Sequence, residues 1–365
     1  MIKISDGKLG VKEFTALVFV TIAIKGTDTT PDLLIYAGMN ASWVLPIFFT
    51  VFIFIPLLIL FPLMKKHDQG LLELIFRLAG KKVGILICFL LFLVILSSTT
   101  VNSRSYIDII NTMYYPLTPL TLQYFLFLMV CYFIAKRGFE SIGRASSVMV
   151  WYLVVSGIIL LFSVWKKSHW LNLFPLAGPG IIPLLRDGAA YSSIFGEIVL
   201  LAVFLPFLRS YQDFRKASLI GFGFSAFWVA ILCAFYTMVF DYPSVEYLNY
   251  PYHQLTRVAS LGGLITHLDA IFLGFWVIAS VLHFSIYLYM TAYIFARTLR
   301  LDAFEPLLLP LTGLILLIGL IPDNIITLNQ SREFVIFSAS AIVFFLPLFL
   351  WGLDRWKGRR QSEKA

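Results

Sequence analysis

Long stretches of this chain carry no charge on any face. Val83 to Ser97 and Ala341 to Trp351 are apolar or small throughout, and similar runs recur from one end of the sequence to the other. A hydrocarbon layer of about 30 Å takes about 20 residues of α-helix per crossing, and every backbone N–H and C=O within it must find a protein partner. Runs that are apolar all round, without the two-residue alternation of a barrel strand, fit helices and argue against a transmembrane β-barrel. Composition agrees. Of 365 residues, 59% are apolar and 13% charged, against about half and about a quarter in soluble domains.

The runs place spans near 13–37, 42–64, 83–109, 119–135, 145–165, 189–208, 217–240, 264–294, 306–321 and 333–352. No apolar segment with a small-residue cleavage site precedes the first, so it reads as an uncleaved insertion signal. Basic residues alternate with these spans. Lys3, Lys8, Lys12, Lys65, Lys66, Arg77, Lys81, Lys82, Lys136, Arg137, Arg144, Arg209, Arg215, Lys216, Arg297, Arg300 and the cluster from Arg355 to Lys364 fall on one side. Only Lys166, Lys167, Arg186, Arg257 and Arg332 fall in loops on the other, while Lys25 and Arg104 lie inside spans. Cytoplasmic loops collect Lys and Arg, so both termini are expected in the cytoplasm, with Trp170 to Gly188 and Asp241 to Gly263 outside. The net charge of +8 then reflects topology. No basic stretch is interleaved with aromatics as in a nucleic-acid groove, and no nucleic-acid partner is expected.

Several chemistries lack a basis. Cys88, Cys131 and Cys233 stand singly in apolar runs without CxxC spacing, which suits small hydrophobes better than ligands or disulfides. His267 and Asp269 are close but have no third ligand nearby, so no metal is expected. Phosphate-cradling glycine loops and the GxSxG nucleophile elbow are missing from the sequence. Neither an enzyme nor a cofactor is indicated.

Ten spans divide into two sets of five, and an odd number makes the second set enter from the opposite side. The fold class expected is therefore an all-α integral membrane protein, a single permease-like domain built as a 5+5 inverted repeat. Repeat one would cover about 11–165, repeat two about 189–352, and a cytoplasmic tail 353–365. Transporters of this design break helices at corresponding positions, here the first and sixth. The first is interrupted by Lys25, Gly26, Thr27, Asp28, Thr29, Thr30, Pro31 and Asp32, and the sixth carries Phe195, Gly196 and Glu197, with Pro206 beyond. Glycine lowers the barrier to unwinding and proline removes a backbone donor. Unwound backbone in lipid survives where it is buried in protein or lines a hydrated cavity. Half-helix N-termini favour a carboxylate and freed carbonyls an ammonium, so an amino acid zwitterion suits both.

Charges at mid-depth cost roughly 3 kcal/mol each on insertion scales unless paired or hydrated. Glu197 has no partner close in sequence. Lys25 or a ligand ammonium is its natural counter-ion, and the alternative is a neutral, protonated acid, which burial favours. Arg104 and Asp108, four apart, read as a local pair on one helix face. Ser97 to Thr100 and Val101 in span three, with Ser280 and His283 in span eight, add groups at the same depth. Candidate ligand-binding residues are thus Gly26, Thr27, Asp28, Thr29, Ser97, Thr100, Val101, Phe195, Gly196, Glu197, Ser280 and His283, with Lys25 and Glu197 as the candidate charge pair.

An interrupted first helix with Gly26 and a sixth helix with Phe195-Gly196-Glu197 are two marks of a family resemblance. The loop from Leu171 to Pro183 (LNLFPLAGPGIIP), the amphipathic stretch from Leu71 to Gly80 (LLELIFRLAG) and the opening of span eight at Leu268-Asp269 add to them. In that order, over essentially the whole chain, they resemble the spore germination permease family, the B subunits of nutrient germinant receptors. That family is similar to the amino acid, polyamine and organocation transporters of LeuT-type fold. The resemblance implies a sensor that binds an amino acid or similar small nutrient and works with an A subunit and a C lipoprotein subunit. Its place would be the lipid of the spore inner membrane, and binding would bias a two-state protein. A proton- or sodium-coupled amino acid transporter is the competing class.

Overall fold

The computed structural model describes residues 7–242, 244–259 and 268–362, and the described part is helical. The first apolar run folds as α1 (Val11–Ala23), a tight 3-10 turn over Ile24–Gly26, and α2 (Thr30–Gly38), which has Pro31 in its first turn, a residue whose fixed φ suits a helix start. A kinked 3-10 stretch, Met39–Val44, leads into α3 (Leu45–His67), which stops where Lys65, Lys66 and His67 meet the left-handed Asp68.

Next comes α4 (Leu71–Met113), broken at Gly80, whose φ of 78° no residue with a Cβ adopts readily. The short arm before the break buries Leu71, Leu72, Leu74, Ile75 and Leu78, the one-sided spacing of an amphipathic helix. The long arm after it is a span. There follow α5 (Leu120–Ala135), α6 (Phe139–Val164), α7 (Ile181–Ala190) and the single turn α8 (Glu197–Leu200), which has 3-10 turns on both sides, Ser192–Phe195 and Leu201–Phe207. The chain continues through α9 (Tyr211–Phe240), α10 (Pro251–Val258), α11 (Leu268–Leu299), α12 (Leu308–Gly319) and α13 (Ile325–Ser362).

Among the described residues, six helical stretches are long and apolar enough to cross a membrane: Thr30–His67, Leu71–Met113, Phe139–Lys167, Tyr211–Phe240, Leu268–Leu299 and Ile325–Arg359. Shorter apolar ones are Leu120–Ala135, Glu197–Phe207 and Glu305–Gly319. Large side chains such as Leu86, Phe89, Trp151, Phe162, Phe334 and Phe345 face outward, an apolar belt suited to lipid tails.

In the interior, α1 lies between α6 and α9, α11 packs along α4 and α5, and α13 closes against α3 and α4. One face of the bundle is basic. There Lys66 Nζ reaches Asp354 Oδ2 at 2.7 Å and Lys357 Nζ reaches the Arg77 carbonyl at 3.1 Å, which ties the short arm of α4 to the end of α13. At the same face Leu9 N donates to Phe207 O at 2.9 Å.

Several expected boundaries move. The fifth and seventh spans begin earlier, at Phe139 and Tyr211, because polar residues of their first turns still make helical hydrogen bonds. Span six, expected over 189–208, is split, since 189 and 190 end α7 and the inward segment starts at Ser192. The start of span eight at 264, and His267 beside Asp269, lie outside the described residues. The helix expected over 333–352 begins at Ile325, which overturns the placement of Arg332 in an external loop. Arg332 sits two turns inside α13 and is only 7% exposed, because it has acidic and hydroxyl partners within the bundle.

Candidate functional site

The tightened end of α1 and the short segment around α8 meet in the core. Lys25 Nζ and Glu197 Oε1 stand 3.0 Å apart, with side-chain exposures of 4% and 9%. The Tyr287 hydroxyl, from α11, faces the same carboxylate. Beside this pair lies a narrow cavity of about 40 Å³, lined by Ser98, Val101 and Asn102 of α4, Ser193, Tyr287, and Arg332 and Val335 of α13. That volume admits water but, in this conformation, not an amino acid.

The groups freed by the break in the first span have protein partners. Tyr236 donates its hydroxyl to Gly26 O at 2.6 Å, the Thr30 N–H bonds Asp28 Oδ1 at 2.6 Å, and Thr27 Oγ1 donates to Ile24 O while accepting from Trp276 Nε1 at 3.1 Å. Asp28 is also reached by the Tyr106 hydroxyl at 3.3 Å. Arg332 completes the arrangement, donating to Thr30 Oγ1 at 2.7 Å and standing 3.9 Å from Asp28 Oδ1. Two cations and two anions thus offset one another where each alone would be costly to bury.

Toward the face opposite the basic one, Arg332 and Ile336 also form the floor of a vestibule of about 530 Å³, with Thr29, Asp32, Asn249, Tyr250 and Asn329 on its walls. Tyr250 N bonds Asp32 Oδ1 at 3.1 Å. In the adjoining loop helix α10, His253 is fully buried, with Nδ1 2.9 Å from the Tyr114 hydroxyl and its ring edge-on to Trp276 at 4.6 Å. Burial, aided by the Arg257 guanidinium, pushes the His253 pKa down to about 3, so the imidazole is neutral. Burial likewise pushes Tyr250 up to about 12.

Of the residues singled out from sequence, Lys25, Val101 and Glu197 line the central cavity, and Asp28 stands one layer above it. Thr29 opens onto the vestibule. Gly26 packs against α9, where an added Cβ would lie 2.9 Å from Leu232 Cδ1, and Thr27 lines a separate apolar cavity near Phe19 and Trp228. Phe195 is a core ring set edge-on to Phe49 at 5.5 Å, and Gly196 is pressed on Val343. Ser97 and Thr100 face a different groove, toward α12 and the start of α13.

Thr100 and Ser280 are satisfied by carbonyls of their own helices, and His283 is sandwiched among Tyr106, Phe284 and Tyr287. The arginine of the Arg104–Asp108 pair bonds the aspartate one turn away. No group of three His, Cys, Asp or Glu suited to a metal occurs among the described residues.

Sequence reasoning missed Ser193, Asn102, Tyr287, Tyr106, Tyr236 and Arg332 as members of this cluster. For Arg332 a signal existed: helix-compatible residues run without interruption from Ile325 into the last apolar stretch. The tyrosines gave none, since a tyrosine in an apolar run reads as packing.

A profile described as spore germination protein, of the spore permease family, matches residues 8–327. The chain belongs to the spore germination permease family. It is 24% identical over 293 residues to spore germination protein KB of Bacillus subtilis, covering 78% of each chain. It is also 24% identical over 275 residues to the putative spore germination protein YfkT of the same organism, covering 75% of each. The apolar helices and this membership make it a multi-pass membrane protein connected with germination.

Proposed function

We propose that this permease is the ligand-sensing subunit of a nutrient germinant receptor, and that the Lys25–Glu197 pair marks the place where a small nutrient, an amino acid by its charges, is recognised. The observation that carries this reading is the ion pair itself, buried beside a cavity where the interrupted first span meets the short sixth segment. A zwitterion offers each member of the pair a replacement partner: its ammonium for Glu197 and its carboxylate for Lys25. Entry would need the cavity to enlarge, so occupancy would favour a second conformation, which suits a sensor.

The ten apolar runs read from the sequence support a 5+5 inverted repeat of LeuT type in which the split first and sixth are counterparts. With the basic face inward, both termini are cytoplasmic and the vestibule opens outward. In the spore inner membrane the partners would be an A subunit and a C lipoprotein subunit. The competing reading, coupled transport through the same cavity, draws on one feature: a buried acid paired to a lysine can exchange a proton when the pair opens.

The test is nutrient dose-response in spores carrying Glu197→Gln, with protein abundance followed in parallel. A midpoint raised at least tenfold at equal abundance is expected, and an unchanged midpoint would remove the pair from the site. A reporter fused after the last helix should be active only in the cytoplasm, and activity outside would overturn the ten-span topology.

A further inference from the structure

The floor of the vestibule is also the roof of the cavity that holds Lys25 and Glu197. Arg332 and Ile336 line both spaces, so the guanidinium stands in the wall between them. It is held lightly for a buried arginine, with a hydrogen bond to Thr30 Oγ1 and Asp28 only at 3.9 Å, an attractive distance but too long for a hydrogen bond. Acidic side chains outnumber basic ones in the lining of the vestibule. Asp32, Asp108 and Glu333 line it, and of these Asp108 is taken by Arg104. Thr29 Oγ1, on the same wall and 5% exposed as a residue, finds no hydrogen-bond partner among the described residues. A buried polar atom without a partner is costly unless something visits it.

We propose that the vestibule is an entry site for a zwitterionic α-amino acid, in which Arg332 takes the ligand carboxylate, leaves Asp28 and opens the partition to the cavity below. Arginine presents a planar fork matched to a carboxylate. The ligand ammonium is met by Asp32, which the Tyr250 N–H holds in place, and the Thr29 hydroxyl gains a partner. Asp28 keeps the Thr30 N–H and the Tyr106 hydroxyl when the guanidinium departs. The inference rests on the reading of the Lys25–Glu197 cavity as the sensing site and adds the route into it.

The partition can be probed without knowing which amino acid is bound. Cys88, Cys131 and Cys233 are buried, so a single introduced thiol can be followed with a membrane-impermeant cationic methanethiosulfonate applied to intact cells. Asn329→Cys reports the vestibule and Ser98→Cys the cavity beneath. The vestibule thiol is expected to react readily and the cavity thiol at least tenfold more slowly. Adding Arg332→Ala, or Asp28→Asn where the first fails to accumulate, is expected to speed the cavity thiol tenfold or more. An equimolar mixture of the protein amino acids other than cysteine, whose thiol would consume the reagent, is expected to do the same in the otherwise unaltered protein and to slow the vestibule thiol.

Equal reactivity of the two thiols at the outset, a cavity thiol indifferent to both partition variants, or a vestibule thiol that is silent from outside would each overturn the proposal. Thermal stabilisation by the same mixture separates the two levels. Loss in Glu197→Gln with retention in Arg332→Gln would leave the sensing site standing and sink the entry site. The reverse pattern would sink the lower site alone.

Discussion

The first span and the sixth segment both interrupt a helix at the centre of the bundle, yet they satisfy their backbones differently. In the first, the chain leaves α-geometry over Ile24–Thr29: Thr27 N still reaches Ile24 O and Asp28 takes the Thr30 N–H locally, but Gly26 O depends on Tyr236 of α9, and Trp276 of α11 holds the Thr27 hydroxyl. The sixth hardly unwinds. It tightens into 3-10 turns around one α turn, and the i to i+3 bonds keep much of the backbone paired internally, as in Gly196 N to Ser193 O at 2.8 Å. The first break is therefore held by tertiary contacts and can be reset by whatever moves them, while the sixth is held by its own sequence and by close packing.

The largest expected effect tests the charge that joins the two. Glu197→Gln leaves Lys25 buried without a counter-charge, and thermal or chemical denaturation of the purified protein should register a loss of about 3 to 5 kcal/mol. Replacing both residues, Lys25→Met with Glu197→Leu, should recover most of it. A double variant no better than the single would show that the pair is not the reason these residues are tolerated in the core.

Next is Tyr236→Phe, which strands the Gly26 carbonyl and should cost about 1 to 3 kcal/mol by the same measurement. No change there would mean that the first break keeps itself paired and that the contrast drawn here is wrong.

Glycine substitutions sharpen the contrast further. A Cβ on Gly196 would stand 3.0 Å from the Ser193 carbonyl and 2.8 Å from Val343 Cγ2, so backbone must yield, and Gly196→Ala should cost about 1 to 3 kcal/mol. At Gly26 the nearest atom is the end of the Leu232 side chain, with Val229 Cα at 3.4 Å. Gly26→Ala should be milder. The reverse order of the two melting temperatures would make the sixth segment the looser one.

Smallest at neutral pH is the contribution of His253, which covers the first break from the loop side. Its folded pKa, about 3, lies below the ordinary 6.5. The unfolded chain therefore takes up a proton first as pH falls. The His253 contribution is complete above about 6.5 and is lost progressively toward about 3. Melting temperature against pH should fall through that window, and His253→Gln should flatten the fall. An unaltered slope would assign the acid sensitivity to other groups.

The sequence carried the apolar helices well because hydrophobic length and all-round apolarity are local properties, readable in one run at a time. It also located both interruptions, since Lys25, Gly26, Asp28 and Pro31 within an apolar stretch admit few continuous helices. It erred at Arg332, where a charge at the edge of an apolar run was given to the loop although helix-compatible residues extended past it.

Position along the chain could not say which side of a helix a residue presents to which neighbour. Ser97 and Ser98 are adjacent, yet one faces the groove beside α12 and the other the central cavity. Pairings across more than a hundred residues, Lys25 with Glu197, Gly26 with Tyr236, Thr30 with Arg332, depend on how the helices rotate and cross. The sequence by itself determined that this protein lives in lipid, where its chain breaks, and which charges need partners, because each follows from the cost of placing local groups in hydrocarbon. Only the tertiary structure decided who those partners are and which side chains share a cavity, because packing, which is non-local, fixes helix rotation and depth.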